Sequence, residues 1–138
     1  MAFVRPLAGK KLMGTAGRHS VVTDRKPEDG GTDAGCTSGE LLLIAMGSCA
    51  TGSIRNSPAG RGLAENEICV DVTLAPPKRA GARDAILITV YVPQATLESA
   101  ADAINVAAVA GGVCSRIALG SDVDVECRPL QDFSPPQS

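Results

Sequence analysis

With 138 residues, 44% hydrophobic and 20% charged, the chain has the length and composition of one soluble domain with a real core. A formal net charge of -2 and the lack of any basic stripe exclude nucleic acid and anionic membrane as main partners. Aromatics make up only 2%, with no Trp, so a pocket that stacks a base or a flat cofactor is not expected, and the core must be built from Ala, Val, Leu and Ile.

Residues Met1 to Asp24 read as short strands joined by Gly turns, with Ser20–Thr23 the clearest β-type run. Arg25 to Cys36 is dense in turn residues and reads as a loop. A helix follows from about Ser38 to about Arg55. Its start carries a capping box, Thr37-x-x-Glu40, in which the Thr hydroxyl takes one orphan helix N–H and Glu40 reaches back to another. Leu41 to Met46 is apolar throughout, which predicts a helix buried on most sides. Asn56-Ser57-Pro58-Ala59-Gly60 ends it.

Ile68 to Leu74 alternates, with Ile68, Val70, Val72 and Leu74 on one face and Cys69, Asp71 and Thr73 on the other. Pro76 to Gly81 is loop. Ala85 to Val92 is a second strong strand, closed by Pro93. A second, Ala-rich helix is predicted from Leu97 to about Val109, with Ser99, Asp102 and Asn105 on its wetter side. Gly111-Gly112 breaks it. Val113 to Leu119 reads as a short helical segment stopped by Gly120. Val123, Val125 and Cys127 alternate with Asp124, Glu126 and Arg128 in a last strand, and the tail from Phe133 is expected to fray. The order predicts a single α+β domain over residues 1–138, two helices on antiparallel sheet.

The N-terminus lacks a continuous apolar segment of the signal-peptide kind, and no run is long enough to span a bilayer. The expectation is a cytoplasmic protein with no membrane partner, its thiols kept reduced. Five cysteines with no C-x-x-C pair, and a single His, argue against a structural zinc site. Cys127 lies on the apolar face of its strand and reads as packing. Cys69 is on a polar face and Cys36 in a loop, and neither has a chemical role. Cys114 follows the Gly-Gly break and opens a short helix. Backbone N–H groups, the helix dipole and an inward-turned Arg116 would favour its thiolate, but a small buried residue filling a tight turn accounts for it equally. Cys49 lies mid-helix, followed by the small residues Ala50 to Ser53. Packing is its simpler local reading. It becomes a nucleophile only if a cation is brought to it from elsewhere in the fold.

The stretch GGTDAGCTSGELLLIAMGSC, together with VAGGVCSRIAL about 65 residues further on, resembles the OsmC/Ohr family of osmotically induced and organic-hydroperoxide-resistance proteins over nearly the full length. The resemblance implies the OsmC-like fold, antiparallel sheets with two long central helices, and an intertwined homodimer with sites at the subunit interface. It implies that Cys49 attacks a peroxide and becomes a sulfenic acid, that Cys114 condenses with it to a disulfide, and that an external dithiol reductant reopens the bond, with no bound cofactor. It also implies an N-terminal arginine that stabilises the thiolate, best matched by Arg18, with Arg5 as runner-up. The organic-hydroperoxide branch has a glutamate ten residues before its first cysteine, where this chain has Gly39. Glu40 is nine before, and at roughly 100° per residue it points away from Cys49, so it reads as a cap. Ser115 stands where the family usually has Pro. The wording ELLLIAMGSC is closer to the OsmC-like branch of redox proteins.

The leading expectation is therefore a thiol-dependent peroxidase acting on organic or hydrogen peroxide. The alternative is a non-enzymatic OsmC-like dimer that binds a small apolar or thiol-containing ligand at its interface. Acyl or ester hydrolysis through Cys49 is weaker, because His19 is the only imidazole base and nothing in the sequence places it near Cys49.

Overall fold

The computed structural model describes residues 1–76, 80, 85–112, 114–115 and 123–134. They fall into two compact units, Met1–Leu43 and Ile44–Ser138. Three strands form the first unit's sheet: β1 (Ala2–Pro6), β2 (Leu12–Ala16) and β3 (His19–Thr23), antiparallel in that order. Ala16 pairs with His19, so β2 and β3 are joined by Gly17 and Arg18 alone. Gly17 supplies the positive φ of 59° that a two-residue hairpin turn needs. The short strands and Gly turns expected from the sequence are all present.

Asp24, buried directly after β3, organises the loop that follows. Its carboxylate accepts hydrogen bonds from the Thr32 hydroxyl (2.7 Å) and from the backbone N–H groups of Arg25 (2.8 Å), Thr32 (2.9 Å) and Ala34 (3.2 Å). The Thr32 hydroxyl bond first, then the backbone donors, hold its pKa well below the usual carboxylate range, against the opposing effect of burial. A carboxylate whose folded pKa lies below its unfolded value of about 3.9 stabilises the fold above that pH and loses the contribution as pH falls. Thermal unfolding from pH 7 to pH 2 is therefore expected to show an acid-side loss of Tm in the wild type. Asp24→Asn should start from a lower Tm at pH 7 and show a shallower acid limb. An unchanged Tm at pH 7 would contradict this role.

The first helix, α1 (Ser38–Asn56), begins where the capping box predicts. It does not bury most of its sides. Only Met46, Ala50 and Ile54 are buried, at i, i+4 and i+8, while Leu42 (45%) and Ile44 (54%) stay exposed on the single chain. An all-apolar run has no polar face to mark its orientation, so tertiary contacts alone choose the buried stripe. Full burial of Met46 and Ile54 contributes about 1.5–3 kcal/mol each.

The second unit's sheet holds β4 (Cys69–Ala75), β5 (Ala85–Val92) and β6 (Val123–Pro129) in that order. β4 and β5 are antiparallel, as expected. β5 and β6 run parallel, with Ile86 paired to Val123 and Val92 to Pro129, so this sheet is mixed rather than wholly antiparallel. The second helix, α2 (Gln94–Ala110), lies between them in sequence and packs on both. A crossover helix carries the chain back to the end where β5 began, which makes the next strand parallel. β5 is central, and Ile86, Ile88, Val90 and Val92 enter the core with Met46, Ala50 and Ile54 of α1 and Ile104 and Ala108 of α2. Ile68, Val70, Val72 and Cys127 pack against it as their alternation predicts, but Leu74, at the end of the same face, is 61% exposed.

α2 starts three residues before the predicted Leu97. Pro93 is preset at φ -55°, and its carbonyl accepts from the N–H groups of Thr96 (2.9 Å) and Leu97 (3.0 Å). Asn105 is not on the wet side with Ser99 and Asp102, since its Oδ1 is buried without a partner among the described residues. Of the short segment predicted over Val113–Leu119, Cys114 and Ser115 are described and helical. Arg116 and the rest of that segment lie outside the described residues, as do most of the Pro76–Gly81 loop and the end of the tail. Among the described residues, no helix is long and apolar enough to cross a membrane.

Candidate active site

The helix that carries Cys49 is held at its start by reciprocal bonds. The Thr37 N–H and hydroxyl donate to the Glu40 carboxylate (2.7 and 3.1 Å), and the Glu40 N–H donates to the Thr37 hydroxyl (3.2 Å). Those bonds, and Lys26 at 3.5 Å, lower the Glu40 pKa. Glu40 is thus a cap paired with a lysine, the structural role that its spacing predicted.

Cys49 is only part-buried and lines an open cleft of about 490 Å³. On the α1 side the cleft is lined by Ser48, Gly52, Ser53 and Asn56, with Ser57 just beyond the helix. Its other wall is Ala107 and Ala110 of α2 and then Gly111. Both helices place small residues at i, i+3 and i+4 (Cys49, Gly52, Ser53 and Ala107, Ala110, Gly111), which lets their backbones approach closely. Gly111 is the tightest point. A Cβ there would lie 2.5 Å from Cys49 Sγ, 3.3 Å from the Cys49 carbonyl oxygen and 3.5 Å from Ser53 Cβ. Its φ of -65° is open to any residue, so contact with the thiol is what demands glycine. Read as a helix breaker in the sequence, Gly111 is a site residue in the structure. The matching small-residue spacing on the two helices was the signal available for it.

Cys114 is fully buried. Its thiol donates to the Met46 carbonyl (3.4 Å) and lies close enough to the Cys49 side chain to be shifted by it. Burial above all, then the neighbouring Cys49 side chain and its charge, push its pKa up to about 11, against a smaller opposing effect of backbone N–H groups. Of the two readings the sequence left open for Cys114, its burial favours the small residue filling a tight turn, and the raised pKa favours the protonated thiol. Loss of solvent outweighs what the backbone N–H groups there offer.

The fold thus brings Cys49 and Cys114 together from about 65 residues apart. Arg18 is exposed at the β2–β3 turn of the first unit. Arg5 is exposed on β1, its Nη2 donating to Met13 Sδ at 3.5 Å. His19 opens β3 and is exposed. Of the remaining thiols, Cys36 is exposed, Cys69 has its pKa raised by burial and then by the Asp71 charge, and Cys127 has its pKa raised by burial. Among the described residues, no group of three or more His, Cys, Asp or Glu is placed to hold a metal ion.

No family model and no curated protein matches the chain by sequence. Solved structures do match. An organic hydroperoxide resistance protein OsmC from Legionella pneumophila superposes with a TM-score of 0.60 at 15% identity, covering 93% of this chain and 95% of that one. An OsmC-like protein from Mycoplasma pneumoniae gives 0.66 at 10% identity, with 94% of each chain covered. A Vibrio cholerae protein named for organic hydroperoxide resistance, with captopril bound in one of its active sites, gives 0.58 at 14% identity over 94% and 91% of the two chains. At these identities the likeness is one of fold. The chain has the α+β fold of the OsmC and organic-hydroperoxide-resistance proteins.

Proposed function

From that fold, and from a cleft-lining thiol beside a second, buried thiol, we propose that the protein is a thiol-dependent peroxidase reducing organic or hydrogen peroxide. The Cys49 thiolate attacks the terminal peroxide oxygen. The O–O bond breaks, Cys49 becomes a sulfenic acid, and the alkoxide or hydroxide leaves and takes up a proton. Cys114 then condenses with the sulfenic acid, expelling water and forming a disulfide. An external dithiol reopens it, becoming a disulfide itself and returning two thiols. No bound cofactor is needed, and the cytoplasm supplies reduced dithiols. One observation carries the division of labour: Cys114 is fully buried, whereas Cys49 lines the open cleft. Arg18 is the proposed cation for the Cys49 thiolate, with Arg5 as the alternative. The proposed working unit is a homodimer. Phe3 (58% exposed) and Val4 (65%) on the first sheet, and Leu42 and Ile44 on α1, are large apolar side chains exposed on the single chain, which supports burial against a second copy.

Mass spectrometry of freshly reduced protein tests both parts. Under native conditions the expected species has twice the chain mass. After one equivalent of cumene hydroperoxide, denatured chains should lose two hydrogens, mapped by peptides to a Cys49–Cys114 disulfide. A monomer would remove the dimer, and oxidation scattered over Cys36 or Cys69 would remove the peroxidase. The second reading, a non-enzymatic dimer that binds a small apolar or thiol-containing ligand, is favoured by one feature, the open space beside Cys49 with no charged side chain lining it among the described residues.

A further inference from the structure

A disulfide between Cys49 and Cys114 must be reopened after each turnover, and its two sulfurs would stand in different surroundings. Cys49 is part-buried and lines the open cleft, its Sγ set against Gly111 of the opposite wall. Cys114 has no exposed surface. It belongs to the same apolar cluster as Met46, Ala50 and Ala108, and its thiol donates to the Met46 carbonyl, so its sulfur is turned onto the backbone of α1. Both thiols are free in this structure. Joining them at an S–S distance of about 2 Å gives Cys114 one more neighbour and opens no path to it.

A thiolate attacks a disulfide sulfur from the side opposite the sulfur that leaves, at a rate set by access and by the leaving thiol's pKa. The two act in opposite directions here. Burial pushes the Cys114 thiol up to about 11, which slows its departure. Access decides the matter. A poor leaving group lowers a rate, whereas a sulfur with no exposed surface offers no line of attack until the fold opens. Resting on the peroxidase reading above, we propose that the external dithiol attacks Cys49 Sγ through the cleft, so that the mixed disulfide forms on Cys49 and Cys114 is the leaving sulfur. The first thiolate of the dithiol bonds to Cys49 Sγ as the protein S–S bond breaks. Cys114 departs with the electron pair and takes up a proton. The second thiolate then attacks its own bonded sulfur and Cys49 departs as a thiolate. The dithiol is left as a cyclic disulfide, having passed two electrons to the protein.

The position of the mixed disulfide tests this. Protein oxidised by one equivalent of cumene hydroperoxide, and in a parallel sample by diamide, is treated briefly with mercaptoethanol, a monothiol with no second thiol to release itself. Acid quenching and N-ethylmaleimide then fix the products for peptide mapping. The mercaptoethanol adduct is expected on Cys49 and the maleimide on Cys114, with adducts on Cys49 outnumbering those on Cys114 by about tenfold or more. An equal share, or a majority of adducts on Cys114, would overturn the assignment. Guanidinium chloride added before the monothiol should erase the preference, because unfolding exposes both sulfurs. A preference that survives unfolding would overturn access as its cause. A Cys49–Cys114 disulfide formed by diamide but not by cumene hydroperoxide would instead overturn the peroxidase reading, while the position of the adduct in the diamide sample would still decide which sulfur is attacked.

Discussion

Replacing Cys49 by serine should lower peroxide consumption by roughly three orders of magnitude or more, because a serine hydroxyl is not ionised at neutral pH and its oxygen cannot take up the peroxide oxygen as sulfur does. Cys114→Ser should behave differently. The first oxidation proceeds, but the sulfenic acid on Cys49 has no neighbouring thiol to condense with. It should persist long enough to be trapped by a sulfenic-acid-selective dione, or end as a mixed disulfide with the added reductant. The wild-type condensation step should quicken as pH rises through the neutral range, because burial pushes the Cys114 pKa up. Both serine variants remove only a sulfur, so circular dichroism should show an unchanged fold. Full peroxidase activity in Cys49→Ser would sink the assignment outright.

The second large effect is expected at Gly111. In Gly111→Ala the new methyl would stand 2.5 Å from Cys49 Sγ and 3.3 Å from its carbonyl oxygen. The thiol must then turn to another rotamer or the two helices must part. Overpacking of this kind costs about 1–3 kcal/mol of stability. Misplacing a reacting sulfur by about 1 Å costs roughly a hundredfold in rate. Gly112→Ala is the matched control, because a Cβ there meets nothing within 4 Å, and it should keep both stability and rate. A Gly111→Ala protein with native kinetics would mean that the cleft tolerates a displaced Cys49, and that the close approach is incidental to the chemistry.

The small residues explain why part of this site was hard to read. Gly111 follows a helix, and Gly after a helix is ordinarily a stop signal, so its place against Cys49 stayed hidden. Gly52, Ser53 and Asn56 follow a cysteine that looked buried, yet they form one wall of an open cleft. Nothing in one helix announces a cleft, since a cleft exists only where two helices fail to fill the space between them.

Where one stretch of chain carries its own physics, the sequence was sufficient. The Thr37–Glu40 capping box closes within four residues, and the structure shows its reciprocal bonds. The apolar run of β5 needed no partner to be recognised, and its bounds, Ala85–Val92, are those observed. The alternation through Val125 and Cys127 placed that thiol against the core. Tertiary structure decided what depends on distant neighbours. It chose which stripe of α1 is buried, because Leu41 to Met46 offered no polar face to choose by. It made β6 parallel to β5, because strand direction follows from the crossover and not from the strand. It favoured a buried, protonated Cys114 over the thiolate that the sequence left equally open, because burial outweighs the backbone N–H groups beside it. Propensity, capping and alternation are local energies, whereas burial and proximity belong to pairs of residues that meet only when the chain is folded.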